Sequence, residues 1–431
     1  MGTSKQNTMK GITMRRLVLI ELLAVVLPTS MLAAMSESDH RDTGTKIAIK
    51  LIEESRICIM HSSYVRDSVV LSSNNRRIAY VNTVGPWVTV GGMTMNTGKQ
   101  QQYAVVDGNV GDEYDAVKGI TFNSDSKKVA YAARKGGNWH VVIDSQEQGA
   151  SYDNIESLVF SEDGKKLGFA AKMGNEWCAV LDGKESKYYK HVALVNISPN
   201  GQRWSFLAVI GTMCHAVIDG KEETGFGRGH LAVFSRDGKH VAYWGSEDSQ
   251  SSTLVIDGEQ IDKRYGKAHT DPVFSNDGNL MAFAVKKDDG CRVIVRDLVT
   301  GSDRELKTYR GIAFPTISPN GKRVAFSAQD ESGQFLVVDG KEEQRFDKIV
   351  LPIAFSPDNK HFAYTASNNG KMVVVVDGVQ KEVLYAVILN VGDAKVYFDG
   401  PDKFRYLALF GDSIYSIEEQ IEEKTIAGEI R

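Results

Sequence analysis

The fold of this chain is decided by the stretch FSRDGKHVAYWG at residues 234–245. An apolar segment ends at Phe234-Ser235, and Asp237-Gly238 can supply the positive φ angles of a tight hairpin. The return segment alternates in polarity from Val241 onward, as a strand with one buried face does. This stretch therefore predicts two antiparallel strands joined by a short turn.

Copies of this pattern occupy most of the chain. They begin 37 to 43 residues apart, with one interval of 51, at Leu71, Phe122, Phe160, Ile197, Phe234, Phe274, Ile317, Phe355 and, in degenerate form, Phe398. A second apolar strand and another turn follow each copy, as in HAVIDG at 215–220. Four short strands per period of about 40 residues are typical of a propeller blade. We therefore predict an all-β fold, a single β-propeller of eight or nine four-stranded antiparallel blades.

The repeat also resembles a known family. Its core of aromatic-Ser-Pro-Asp-Gly-Lys-x-Val-Ala-Phe/Tyr, followed by an aliphatic strand and Asp-Gly, is similar to the TolB-type, WD-repeat-like propeller repeat. The resemblance covers nearly all of residues 69–422, although no Gly-His and Trp-Asp pair recurs as in intracellular WD repeats. It implies a periplasmic or secreted propeller used for contact with proteins or ligands. It carries no catalytic residue over, because the shared motif is a turn.

The N-terminus has the order of a secretory signal. Arg15 and Arg16 precede an apolar run at 17–27, and small residues follow at Ala33 and Ala34. This basic, apolar, small-residue order predicts a cleaved signal peptide, with a possible extended start before it. An uncleaved membrane anchor stays open as an alternative. After cleavage we expect no integral membrane span and a periplasmic or secreted location.

The remaining chain divides into three parts. Residues 35–68 are expected to supply a strand that closes the ring, residues 69–422 to form the propeller, and residues 423–431 to be a tail. The acidic stretch 418–424 is expected to be solvated. The four cysteines form no CxxC pair, so buried thiols are favoured over disulfides, which stay open.

Charge and motifs exclude several function classes. With 51 basic and 55 acidic residues, the chain lacks the positive surplus that nucleic-acid binding requires. The sequence contains no Gly-x-Ser-x-Gly elbow, no HExxH and no phosphate loop. The Asp-Gly turns are poor calcium loops, because a lysine often follows the glycine. We predict no catalytic residues and no cofactor.

Three histidines form the one constellation with possible chemistry. His191, His230 and His269 are spaced 39 residues apart, each shortly before the first strand of a repeat, and Asp271 is a neighbouring carboxylate. At the rim of a propeller channel such side chains could share a ligand or a metal, or could point in different directions. Trp87, in an insertion at 85–102, is a further candidate for ligand contact.

These observations favour an exported, non-catalytic propeller that binds a protein or a small envelope ligand. The alternative is a metal-dependent hydrolase or lyase with its site at the channel mouth, built from the three histidines and Asp271.

Overall fold

The structure is a computed structural model that describes residues 45–59, 65, 68–85, 87–90, 93–96, 100–248, 251–261, 265–382, 387–388, 396–410 and 413–425. Across these ranges every extended regular element is a β-strand. The chain divides into a unit at 1–34 and a unit at 35–431, and all described residues belong to the second. The predicted signal segment lies outside the described residues. A helix suited to crossing a membrane does not occur within the described ranges.

Nine antiparallel sheets of four or five strands follow one another along the described chain, and we call these sheets blades 1 to 9. A tenth sheet, of two strands, is a hairpin inserted in blade 1. β1 (Thr45–Ile59) belongs to blade 9. Blade 1 contains β2 (Val70–Leu71), β3 (Ile78–Val84), an inserted hairpin of β4 (Trp87–Val90) and β5 (Met93–Asn96), β6 (Gln101–Val106) and β7 (Asn109–Val110). Blade 2 contains β8 (Ala116–Phe122), β9 (Val129–Lys135), β10 (Asn138–Ile143) and β11 (Gln146–Tyr152). Blade 3 contains β12 (Asn154–Phe160), β13 (Leu167–Met173), β14 (Glu176–Leu181) and β15 (Lys184–Glu185).

The later blades repeat this plan. Blade 4 contains β16 (His191–Ile197), β17 (Trp204–Ile210), β18 (Met213–Ile218) and β19 (Lys221–Phe226). Blade 5 contains β20 (Arg228–Gly229), β21 (Val233–Phe234), β22 (Val241–Ser246), β23 (Thr253–Ile256) and β24 (Glu259–Gln260). Blade 6 contains β25 (Lys267–Ala268), β26 (Val273–Phe274), β27 (Leu280–Lys287), β28 (Gly290–Asp297) and β29 (Asp303–Glu305). Blade 7 contains β30 (Gly311–Ile317), β31 (Val324–Asp330), β32 (Gly333–Val338) and β33 (Lys341–Phe346). Blade 8 contains β34 (Lys348–Phe355), β35 (Phe362–Asn368), β36 (Lys371–Val376) and β37 (Val379–Glu382). Blade 9 adds β38 (Val387–Ile388), β39 (Tyr397–Phe398), β40 (Lys403–Phe410) and β41 (Ser413–Thr425) to β1.

The hydrophobic core is divided into clusters that each join two neighbouring blades. Between blades 6 and 7, for example, Ala284 and Val293 of blade 6 pack with Phe326 and Phe335 of blade 7. A further cluster joins Tyr80 of blade 1 with Ile414 of blade 9. Because the last blade packs against the first as its neighbours pack against each other, the described residues form a multi-blade propeller with nine blades. This confirms the predicted fold class.

In blades 1 to 8 the first strand lies on the inner side, whereas in blade 9 the first strand, β1, is the outermost. In the early blades, the first strands β8, β12 and β16 contact one another in sequence. Several of them carry a β-bulge at one equivalent position, where a residue adopts a left-handed backbone: Gly119 (φ 64°), Ser157 (φ 55°), Leu194 (φ 51°) and Phe314 (φ 52°). In blades 5 and 6 the first strand is instead interrupted, at residues 230–232 and 269–272. A bulge re-aims side chains, so these positions differ from the rest of the strand.

The two kinds of Asp-Gly turn differ, which corrects one expectation. Between the third and fourth strands both residues have positive φ, as at Asp219 (52°) and Gly220 (84°). Between the first and second strands only the glycine does, as at Gly238 (75°). There Asp237 acts through its side chain, which accepts the hydroxyl of Ser235 at 2.7 Å and the backbone N–H of Lys239 at 3.1 Å. The aspartate therefore stabilises the first turn as a hydrogen-bond acceptor.

The ninth blade combines both ends of the described chain. β1 pairs antiparallel with β41 from Thr45 opposite Thr425 to Ile59 opposite Ser413. The expectation of a solvated acidic stretch at 418–424 is wrong, because this stretch is part of β41 and Glu419 is only 1% exposed. Its neighbours Ile417 and Ile421 are buried on the same face, as the two-residue period of a strand requires.

The three cysteines whose side chains are described form no disulfide. Cys178 and Cys291 are buried free thiols, and Cys214 is half-buried and also free. The side chain of Cys58 lies outside the described part of the chain. The insertion at 85–102 contains the hairpin of β4 and β5.

Candidate functional site

A pocket of about 590 Å³ lies where the inner strands of blades 5, 6 and 7 meet. The two interrupted first strands and the bulge of β30 surround it. Its lining consists of His230, His269, Thr270, Asp271, Val273, Ile312, Ala313, Phe314, Pro315 and Thr316. The site is thus built from irregular segments in the first strands of three consecutive blades, on a regular scaffold.

His230 and Asp271 provide the polar side of the pocket. The ring Nδ1 of His230 lies 3.6 Å from Oδ1 of Asp271, and the two side chains are 42% and 47% exposed. The backbone N–H of His230 donates to the carbonyl of Trp244 at 3.0 Å, which fixes where the histidine leaves the sheet. The pair therefore presents a hydrogen-bonding ring and a carboxylate side by side to solvent.

The segment that carries His269 is held on several sides. The ring Nε2 of His269 donates to the carbonyl of Ile312 at 2.7 Å, since a carbonyl can only accept. The hydroxyl of Thr270 accepts the N–H of Ala284 at 2.9 Å, and the indole of Trp244 donates to the carbonyl of Thr270 at 3.1 Å. His269 thus links blade 6 to blade 7, and its Nε2 is already used by the fold.

Phe314 forms the apolar side of the pocket and is conformationally unusual. The residue is 56% exposed, and its φ of 52° lies in the left-handed region. For a bulky residue this conformation costs roughly 1–2 kcal/mol relative to a right-handed one. The equivalent Leu194 shares both properties, with 41% exposure and a φ of 51°. Two large apolar side chains are thus presented to solvent from strained positions.

Of the residues singled out from sequence, the structure brings together His230, His269 and Asp271. His191 lies elsewhere, at the start of β16, with its ring centroid 5.0 Å from that of Trp177 in blade 3. The side chain of Trp87 lies outside the described residues, although its backbone is part of β4.

The equal spacing of the histidines conceals a difference in register. In blade 4 the partner of Leu207 is Ala193, whereas the equivalent partner of Trp244 in blade 5 is His230. His191 therefore lies two residues earlier on its strand than His230 does. The offset from the Phe or Ile that ends the first strand shows this difference, because His191 is six residues before Ile197 and His230 is four residues before Phe234.

Phe314 and its equivalents were not predicted from the sequence as site residues, although they share one position in the repeat. Each bulge residue is the third before the Phe or Ile that ends the first strand, and Asp271 has the same offset from Phe274. The residues at this offset include Gly119, Ser157, Leu194, Asp271 and Phe314. Among the repeats, the residue at this offset varies from glycine to phenylalanine, although the surrounding pattern is regular. Such variation indicates that the fold does not require a particular side chain there.

The arrangement offers hydrogen bonding and apolar contact. Within the described residues, His, Cys, Asp and Glu side chains do not come together in threes as a metal site would require. The pocket residues free to meet a ligand are His230, Asp271 and Phe314. This set can bind a group that combines polar and apolar parts.

Comparison with solved structures concerns the fold alone. TolB from Acinetobacter baumannii is similar at 17% identity, over 57% of this chain and 75% of that one, with a TM-score of 0.30. The Dos1 propeller matches at 14% identity over 86% and 95% of the two chains, with a TM-score of 0.41. The fold is a β-propeller, and solved TolB structures are among those similar to it.

A third solved structure is equally remote. The β-propeller domain of the Trilobed protease from Pyrococcus furiosus matches at 13% identity over 64% of this chain and 100% of that one, with a TM-score of 0.36. Neither a protein-family model nor a curated protein sequence matches this chain. Function must therefore be argued from the site.

Proposed function

We propose that this TolB-like propeller is an exported, non-catalytic binding protein that holds a protein segment or a small envelope ligand in the pocket of blades 5 to 7. The observation that carries the proposal is Phe314, an exposed aromatic side chain in a strained backbone conformation beside the His230–Asp271 pair. Strain of this kind in a side chain that does not pack into the core is typical of functional positions.

Size and rigidity support a binding role. A volume of about 590 Å³ lies within the range of sites that enclose small molecules or a few residues of a peptide. The hydrogen bonds of His269 and Thr270 fix the pocket wall before any ligand arrives. A preformed wall lowers the ordering cost of binding. An exposed aromatic residue at the centre of such a wall is the usual anchor of an interface.

Export is supported by the order of residues at the N-terminus, where Arg15 and Arg16 precede the apolar run at 17–27 and the small residues Ala33 and Ala34. This order is that of a secretory signal. An envelope partner follows from an envelope location.

The test compares variants of the pocket in the same assay. Wild type, Phe314→Ala and Asp271→Asn are used to capture material from the envelope fraction, and each purified candidate is titrated by calorimetry. Val299→Ala is the matched control, because Val299 is 76% exposed and belongs to a turn of blade 6 outside the pocket lining. We expect Phe314→Ala to weaken binding by about thirtyfold, which corresponds to a hot-spot residue. A partner that binds Phe314→Ala and Asp271→Asn as tightly as wild type would refute the pocket as its site.

A further inference from the structure

Four cationic side chains form a row in blades 4 to 7, at the end of each blade where the first strand begins. Lys190, Arg228, Lys267 and Arg310 each stand at or just before the start of a first strand, in four consecutive blades, and we call them the basic arc. The next blade also begins with a lysine, Lys348, but an aspartate, Asp347, directly precedes it. All four side chains are exposed. None of the four forms an ion pair with any described residue. This row is therefore available to an external anion.

The fold itself does not require cations at this position. In blades 2, 3 and 8 the residue that follows the buried aromatic at the end of the fourth strand is an aspartate. Asp115 accepts the N–H of Gly136 at 2.9 Å, and Asp153 accepts that of Gly174 at 2.6 Å. Asp347 does the same for Asn369 at 2.7 Å. These carboxylates stabilise the turn between the second and third strands.

Blades 4 and 7 place Lys190 and Arg310 at this same position, directly after Tyr189 and Tyr309. A lysine or an arginine has no acceptor for the turn N–H, so the structural role of the aspartate is lost. In blades 5 and 6 a glycine takes the position and a cation follows it, at Arg228 and Lys267. The substitution thus removes a stabilising group and adds charge in each of four consecutive blades.

Blade 6 adds a repulsive contact to the same region. Lys267 lies directly opposite Lys286 in the antiparallel pairing of β25 and β27. Like charges opposite each other on neighbouring strands destabilise a sheet. Lys287 also lies close by, with its Cγ 3.0 Å from where a Cβ of Gly266 would stand. A bound anion would relieve this repulsion.

We propose that the basic arc is the docking surface for an acidic segment of a partner protein, whose apolar side chain enters the pocket beside Phe314. This inference rests on the proposed binding function and names the chemistry of the partner. The arc leads directly into the pocket, because Arg228 and Lys267 are each two residues before the pocket histidines His230 and His269. Charge and apolar contact therefore fall on one continuous surface.

A peptide fits this surface better than other polyanions do. The pocket contains the carboxylate of Asp271 and the exposed ring of Phe314, which suit a mixed polar and apolar side-chain pattern rather than phosphates. Glu247, Asp288 and Glu331 lie on turns at the same end of the blades, so a flat anionic membrane would meet carboxylates as well as the arc. A peptide can pass between these acidic side chains.

The test uses a fluorescein-labelled peptide in which pairs of glutamates alternate with single leucines, and binding is followed by anisotropy. The arc variant carries Lys190→Gln, Arg228→Gln, Lys267→Gln and Arg310→Gln. The matched control removes the same number of charges from the opposite ends of the first strands, by Lys127→Gln, Lys165→Gln, Lys239→Gln and Lys360→Gln. These control lysines are 72% to 82% exposed and pair with aspartates of their own turns.

We expect the arc variant to bind the peptide about tenfold more weakly than the control, because four exposed charge pairs together contribute about that factor. Replacing the glutamates of the peptide by glutamine should weaken wild-type binding to the same level. Equal affinity of the arc variant and the control would refute the proposal that the basic arc binds the peptide. If Phe314→Ala alone abolished binding in that case, the proposed pocket would still stand. Tighter binding of duplex DNA or of phosphatidylglycerol vesicles than of the peptide would also overturn the assignment.

Discussion

The buried ion pair between blades 8 and 9 gives a quantitative test of how the propeller is held together. Nζ of Lys381 lies 2.6 Å from Oε1 of Glu419, and the two side chains are 13% and 1% exposed. The hydroxyl of Tyr406 lies 3.2 Å from the same oxygen. Replacing Lys381 by methionine leaves the Glu419 carboxylate buried without its counter-charge. Breaking a buried pair in this way costs about 3–5 kcal/mol, and the slight exposure of Lys381 places the cost near 3 kcal/mol.

Such a loss is measurable by thermal unfolding. With an unfolding entropy of roughly 2.1 cal/mol/K per residue over about 390 residues, a loss of ~3 kcal/mol lowers Tm by about 4 °C. The matched control is Lys135→Met, which breaks an exposed pair to Glu147 at 3.1 Å and should cost no more than about 1 kcal/mol. The double variant Lys381→Met with Glu419→Leu should recover at least half of the loss. A Tm for Lys381→Met equal to that of Lys135→Met would refute the reasoning.

The same pair predicts a pH dependence with a definite sign. Burial raises the pKa of Glu419 above its ordinary value, despite the opposing effect of Lys381. The folded state then binds a proton more tightly than the unfolded state, so stability falls as pH rises from the unfolded pKa toward the raised one. Without Lys381 the pKa rises further. Lys381→Met should therefore gain stability relative to wild type as pH is lowered from about 7 to about 5.

Three other predictions are independent of this pair. Gly245→Ala should destabilise the protein by about 1–3 kcal/mol, because the new Cβ would stand 2.2 Å from the buried ring of Phe226, whereas Gly149→Ala, with open space around it, should be neutral in the same denaturation assay. N-terminal sequencing of native protein should find a mature start near Met35, and retention of Met1 would remove the signal-peptide interpretation. Elemental analysis of purified protein should show no stoichiometric metal, and one equivalent of zinc would favour the enzyme alternative.

The repeat made the blades predictable because each strand and turn is a local feature. Alternation at Val241 and the turn residues Asp237-Gly238 act within a dozen positions, so they can be recognised without knowledge of the ring. The role of Asp237 could not be predicted from the sequence, because aspartate is favoured at a turn for two reasons. It can adopt a positive φ angle, and its side chain can accept hydrogen bonds from the turn. Only the observed φ angles separate the two explanations.

The site was predictable only in part, since it depends on the lengths of bulges. His230 and His269 share a pocket because the first strands of blades 5 and 6 are interrupted in similar ways. His191 has the same spacing in sequence but follows the register of a bulged strand, so it faces Trp177 instead. The equal spacing between the histidines does not report this shift, whereas their offsets from the end of the first strand do, at six residues for His191 and four for His230.

The pairing of β1 with β41 has a consequence for the order of folding. Within a blade, neighbouring strands close loops of a few residues, but this pairing joins segments about 380 residues apart. Loop closure grows with the logarithm of length, so the ninth blade costs about 2 kcal/mol more to close than a contact across one period of about 40 residues. Blades 1 to 8 can therefore form while β41 is still an edge strand. An inward-pointing charge on an edge strand discourages pairing with other chains, and Glu419 is such a charge. The buried carboxylate thus also discourages pairing with other chains while the ring is still open.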